Sequence, residues 1–242
     1  MSCQIKLGTM YQRCNRLDHA EATLRQALAA LQRYHSPDSH ATLDCLSSLA
    51  FLLRQQGRLD EADPIMSSAL EGSRRVLGPS HPKTILVQNN YAALFMNRAA
   101  VAQAASHVSA SKMFEDAEIM MRDALSRQIT STHESDPITL QTMHNLAVLL
   151  HTRRSDSEEA LEFMRRAVCI RGASLGVSNA ATLASHAALI TMLLKRGVDG
   201  HSEAEDLMRS MIAAHHSNIT EWAKVCAPAR HAFYTFDAMP RG

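Results

Sequence analysis

Aromatic residues make up only 5% of the 242-residue chain, with one tryptophan, and glycine and proline number nine and seven. The 46% apolar content therefore rests mainly on Ala, Leu and Met, the composition of a helix former. Charge of one sign is also missing. Against 24 acidic residues stand 25 basic ones, a net charge of +1, which offers no electrostatic footprint for a phosphate backbone and argues against nucleic acid as a direct partner. Five cysteines (Cys3, Cys14, Cys45, Cys169, Cys226) form no C-x-x-C pair, so neither a disulfide framework nor a zinc site is written here, and reduced, buried thiols are expected. Apolar runs fall short of the ~20 residues of a membrane span, and Met-Ser-Cys-Gln-Ile-Lys lacks a signal-peptide core. An intracellular protein, cytoplasmic by default and without membrane insertion, is the expectation.

Chemistry is short of material too. No G-x-S-x-G, P-loop, H-E-x-x-H or paired-carboxylate constellation is present, so no nucleophile or base can be named and no enzyme is expected. Among thirteen histidines the metal candidates are His215-His216 and His144 with His151. Seven helical residues place the latter pair about 10 Å apart, too far for one ion. No metal and no cofactor is expected.

What the chain does have is a repeat. An Ala followed seven and eight residues later by a small-then-aliphatic pair recurs at Ala20, Ala62, Ala117, Ala160 and Ala204, in steps of 42, 55, 43 and 44. The long step carries an Ala/Ser-rich insertion at 99–111. A second landmark precedes the last four copies, a Pro or polar residue followed by Thr42, Thr84, Thr139 or Thr182, which reads as a helix start whose hydroxyl serves unpaired N–H groups. Seven residues later come Leu49, Tyr91, Leu146 and Leu189, with Leu7 in the same register of the first copy. Each unit is thus a first helix, a turn such as Asn15-Arg16-Leu17 or Gln56-Gly57-Arg58-Leu59, and a second helix. Leu7, Gly8 and Tyr11 should face Ala20, Leu24 and Ala27, the small residues letting the helices approach to about 8–10 Å. Methionines of the second helices (Met66, Met120, Met121, Met164, Met208, Met211) fall at the buried register and read as core.

These residues, Leu7-Gly8-x-x-Tyr11 with Ala20, Leu24 and Ala27, resemble the tetratricopeptide repeat (TPR) signature. The 42-residue period and the linker Leu77-Gly78-Pro79-Ser80-His81-Pro82-Lys83-Thr84 resemble the kinesin light chain type. The resemblance implies an all-α fold, a right-handed α-solenoid of about five TPR helical hairpins plus a C-terminal capping helix. The array would cover 1–216, with repeats at 1–34, 41–77, 83–130, 138–174 and 181–216. Residues 217–242 would form the capping helix and tail, with Trp222 as a packing anchor. The chain opens almost directly in the first helix, so the heptad region of kinesin light chains is not expected. A pentatricopeptide-type, RNA-binding repeat of about 35 residues fits the 42-residue step poorly.

In this family the first helices line a concave surface on which a peptide lies. That register transfers to Lys6, Thr9, Gln12 and Arg13; Ser47, Ser48, Phe51, Arg54 and Gln55; Asn89, Asn90, Ala93 and Asn97; His144, Asn145, Val148 and His151. The partner-binding groove is expected at Lys6, Arg13, Ser48, Arg54, Gln55, Asn89, Asn90, Asn97, His144 and Asn145, Asn90 and Asn145 leading because a carboxamide both donates and accepts. The basic members would favour an acidic partner. Two readings stay open: a non-catalytic scaffold binding a peptide or protein segment, and a structural subunit built into a large multiprotein or ribonucleoprotein assembly.

Overall fold

A computed structural model describes residues 2–131 and 134–214. The expected capping helix, Trp222, His215-His216 and Cys226 lie outside the described residues. Two compact units divide the chain, 1–131 and 132–242. The first holds α1 (Ser2–Arg13), α2 (Leu17–Tyr34), α3 (His40–Gln55), α4 (Leu59–Leu77), α5 (Pro82–Ala104) and α6 (Ser109–Ser131). The second holds α7 (Pro137–Arg153), α8 (Glu158–Leu175), α9 (Ala180–Lys195) and α10 (Val198–Ala214). In each, helices pack on their chain neighbours, and first helices also meet one another, α1 with α3, α3 with α5, and α7 with α9. This is the side-by-side hairpin stacking of an α-solenoid, and the described residues contain no strand.

Small residues set the stack. Ala20, Ala62, Ala117, Ala160 and Ala204 are all fully buried, as are Ala27, Ala69, Ala124 and Ala167. At Gly8 a Cβ would stand 2.8 Å from the Leu24 side chain, so α1 and α2 cross where the first helix has no side chain at all. Leu24, Leu31, Leu49, Leu52, Leu53 and Met66, from α2, α3 and α4, pack with Ala20, Ala27, Ala62 and Ala69 in one core of the first unit. Met66, Met121, Met164 and Met211 are core as the spacing predicts, whereas Met120 and Met208 are only half-buried. Leu7 is not: it is 43% exposed where Leu49, Leu146 and Leu189 are 2% or less.

The helix starts differ in detail from expectation. Capping falls to the residue before each helix: Ser39 accepts from the Thr42 amide, His81 from Lys83, Asp136 from Ile138 and Thr139, and Asn179 from Ala181. The threonines are buried instead. The Thr42 hydroxyl donates to the Ser36 carbonyl at 3.1 Å and that of Thr84 to the Ser73 carbonyl at 3.2 Å, tying each first helix to the end of the preceding segment. Turns follow the sequence reading, with Asn15 and Gly57 in the left-handed region at φ 58° and 77°. The insertion is mostly helix: it lengthens α5 to Ala104 and starts α6 at Ser109, leaving a four-residue connection. The thiols depart from expectation, since Cys3, Cys14 and Cys169 are exposed and only Cys45 is buried among those described. Burial pushes the Cys45 thiol up to about 11.

Two glycines test the packing with opposite signs. A Cβ at Gly200 would lie 2.1 Å from the Leu193 carbonyl oxygen, a backbone atom that cannot rotate away. Gly200→Ala is expected to destabilise the second unit by about 1–3 kcal/mol. At Gly172 in α8 nothing lies within 4 Å of the added methyl, so Gly172→Ala should stabilise by up to about 1 kcal/mol through the entropy of the unfolded chain. Urea unfolding followed by circular dichroism reads both.

Candidate functional site

The first helices place their open stripes in register. On α3 the outward positions are Asp44, Ser47, Ser48, Phe51, Arg54 and Gln55, and 42 residues on, α5 presents Leu86, Asn90, Ala93 and Asn97. Between α1, α3 and α5 lies a cavity of about 310 Å³. Its floor is apolar, formed by Ile5, Leu43, Leu77, Leu86 and Val87, and its rim carries Lys6, Thr9, Asp44, Ser47, Ser48 and Lys83. Lys83 pairs with Asp44 at 2.8 Å across the α3–α5 gap, both half-exposed, a geometry that contributes less than about 1 kcal/mol.

Of the expected site residues, Lys6 and Ser48 line this cavity. The Ser48 hydroxyl is bonded back to the Asp44 carbonyl at 2.8 Å. Arg13 is exposed at the end of α1. Gln55 accepts from Gln12 at 2.6 Å, a bridge from α1 to α3. Arg54 is half-buried, its guanidinium 4.9 Å from the Phe51 ring centre, and desolvation lowers its basicity. Asn90 and Asn97 stand half-buried on the open stripe. Asn89 corrects the sequence expectation. One residue of helix is a 100° rotation, and it sets Asn89 in the packing face beside Val87 and Gln88, 1% exposed.

The second unit treats the same positions differently. Arg171, near the end of α8 and 3% exposed, reaches between α7 and α9. It donates to the Ala181 carbonyl at 3.0 Å, to the Ser185 hydroxyl and to Gln141 at 3.2 Å. Gln141 in turn donates to Asn145 at 2.8 Å, and His144 meets the Ser185 hydroxyl at 3.2 Å. Both expected site residues here are thus held by internal partners. Burial, and then the Arg171 charge, bring His144 down to about 4. His151 is buried at 8% exposure and so is off the stripe.

Counting eleven residues from Ala160 reaches Arg171; the same count from Ala62 reaches Ser73. Where the arginine fills the α7–α9 gap, the serine leaves the α3–α5 gap open, and Ser73 lines the cavity. Sequence reasoning missed Ser73, Asp44, Lys83 and Leu86, although comparing the repeats column by column displays the first as a small residue opposite an arginine.

The tetratricopeptide repeat family model matches residues 2–63 and 46–105, and a second tetratricopeptide repeat model matches 139–186, together more than half of the chain. The chain belongs to the tetratricopeptide repeat family. Its TPR fold is similar to solved structures of kinesin light chain-type repeats. A crystal structure of nearly identical TPR-like repeats from a Podosopora anserina protein described as a kinesin light chain aligns with TM-score 0.64 at 20% identity, covering 88% of this chain and 94% of that one. A singly substituted form of the same repeats gives 0.66 at 20% identity, with 88% and 93% covered. BtubC (BKLC) from P. vanneervenii gives 0.66 at 23% identity, with 87% of this chain and 79% of that one covered. No curated protein sequence matches the chain significantly. Among the described residues of the TPR helices, none is long and apolar enough to cross a membrane, and no three His, Cys, Asp or Glu side chains are grouped to hold a metal.

The His144 environment has a signed consequence. Its folded value of about 4 lies below the ordinary 6.5, so the unfolded chain takes up a proton that the folded unit refuses. Stability from this group is complete above about pH 6.5 and is lost as the pH falls toward 4, by up to about 3 kcal/mol. Chemical denaturation of wild type and His144→Asn across that window should show the extra slope only in wild type. Arg171→Ala should destabilise by about 2–4 kcal/mol, because it removes packing and leaves Gln141 and Ser185 short of a donor.

Proposed function

We propose that this TPR chain is a non-catalytic protein-interaction scaffold that holds a peptide or protein segment along the first-helix surface of its first unit. The observation that carries the reading is the 310 Å³ cavity between α1, α3 and α5, an apolar floor with a polar rim built from three successive repeats. Such a site takes an apolar side chain of an extended segment, while rim groups meet its backbone and charges. Lys6 is exposed on that rim and forms no ion pair among the described residues, and Asn90 and Asn97 offer donors and acceptors further along the stripe. They favour a segment with a carboxylate near its apolar anchor. The second unit, whose Asn145 and His144 are already bonded internally, contributes less to capture.

Ser73→Arg tests this by filling the space. The longer side chain should occupy the cavity as Arg171 occupies its own gap, at some cost in thermal stability because Leu43 and Val87 line it, Val87 standing where Arg171 has Ser185, and circular dichroism checks that the variant remains folded. The measurement is affinity capture of interacting proteins from the chain's own source on wild type and Ser73→Arg, with sizing of what is bound and titration of the segment mapped from it. Loss of the bound segment by tenfold or more in the variant supports groove binding. Retention by the variant of one fixed, large assembly would overturn it and make the chain a structural subunit that docks by other faces.

A further inference from the structure

Four exposed residues of α1 form a single stripe. Cys3, Leu7, Met10 and Cys14 are all exposed, Leu7 at 43% and Met10 at 61%. At 100° per residue they fall within an arc of about 60°. Cys14 follows the helix but keeps its geometry, its amide bonded to the Met10 carbonyl at 3.0 Å. This surface has a counterpart inside the chain. Forty-two residues on, Cys45, Leu49 and Leu52 occupy the register of Cys3, Leu7 and Met10, and there α2 covers them to 1% exposure or less, the Cys45 thiol donating to the Leu24 carbonyl. The α1 stripe therefore continues an interface that the fold uses to stack one helix on another.

The stripe is also its own complement. Its spacing of four, three and four residues reads the same in both directions, so an antiparallel copy of α1 related by a two-fold axis beside Gly8 and Thr9 sets Leu7 against Met10 and Cys3 against Cys14. A two-fold interface requires that reciprocity, residue i meeting j while j meets i. We propose that the α1 stripe is a homodimer interface, occupied by α1 of a second copy of this chain. A pair of 12-residue helices buries less than the roughly 1,200 Å² of a stable interface, so the dimer is weak and reversible. Lys6 and Arg13 share one flank of the stripe, and the two-fold brings Lys6 of one copy near Arg13 of the other. Added salt therefore strengthens the association by screening like charges.

The cysteines make the arrangement measurable. Within one α1, Cys3 and Cys14 are about 16 Å apart along the axis, far beyond the roughly 7 Å limit for a disulfide, so a bond between them joins two copies. Oxidised glutathione supplies the chemistry: the Cys3 thiolate breaks its S–S bond and releases one glutathione, then Cys14 of the second copy displaces the other, leaving one protein disulfide and two reduced glutathiones. The experiment is sedimentation of the reduced full chain over a concentration series at two salt concentrations, for wild type and Leu7→Glu/Met10→Glu. Mass-spectrometric mapping of the disulfides formed under glutathione accompanies it. Concentration-dependent dimer, weakened at least about tenfold by the charged pair and yielding Cys3–Cys14 linkages between copies, is expected. A chain that stays monomeric, a dimer indifferent to the charged pair, or wild-type linkages dominated by Cys3–Cys3, Cys14–Cys14 or Cys169 would each overturn the proposal. The wild-type linkage map decides even where the charged variant fails to fold.

Discussion

Two helices come no closer than the side chains between them allow, and this chain is organised around keeping one contact per hairpin small. The recurring alanine of each second helix has no exposed surface in any of the five hairpins, and in the first the facing residue is Gly8. Once that contact is fixed, the leucines and methionines on either side have only one arrangement in which they fill the flanks, because large residues at the crossing would separate the helices and leave voids. The hairpin then has two apolar faces and can bury them only by stacking on its neighbours, which is why stability is distributed hairpin by hairpin. Everything on the first-helix surface is positioned by this stacking.

The groove arises from what the stacking leaves unfilled. In the second unit, a single long side chain crosses the gap between first helices and satisfies three groups at once, so Gln141, Ser185 and through them Asn145 and His144 become internal structure. In the first unit the equivalent residue is Ser73, which accepts the Thr84 hydroxyl on its carbonyl but fills nothing. The threonine brace is present here while the arginine plug is absent. A buried arginine without a carboxylate is costly to desolvate, and its replacement by serine exchanges that cost for unoccupied volume that another molecule can fill.

The hairpins were legible in the sequence because their signal is repeated. Ala20, Ala62, Ala117, Ala160 and Ala204 report the same physical requirement, and a reader needs no single instance to be decisive. The turn residues Asn15 and Gly57 were legible for a local reason, their positive φ. Side-chain partners were less so. Thr42 and Thr84 look like capping hydroxyls, yet the cap is the preceding Ser39 or His81, and the threonines turn inward to the segment before them. Asn89 and Asn90 are adjacent in sequence and identical in chemistry, and a rotation of 100° buries one and opens the other. The exposed Cys3 and Cys14 show the same limit, because composition predicts an average burial and says nothing of which helix has a neighbour.

Charge follows a division of labour that apolar packing alone would not impose. Arginines at or near the ends of first helices reach back to the preceding second helix or forward to their own: Arg58 to Glu21 at 2.7 Å, Arg98 to Asp63, and Arg196 to Glu158. Each pair is at least partly exposed and worth little singly. They join the second and third hairpins, and within the second unit the fifth hairpin, to the one before, and bias the register of each, since a slip would leave those acids unpaired. These pairs lie between hairpins, away from the first-helix stripe. On that stripe the Lys83–Asp44 pair neutralises itself, and Lys6 remains the cation at the cavity without such a partner among the described residues. On the groove-binding proposal, a site with an apolar floor and one uncommitted charge would discriminate by the shape of the side chain that enters it, with charge setting orientation, so specificity would depend on how well an anchor fills the space left by Ser73.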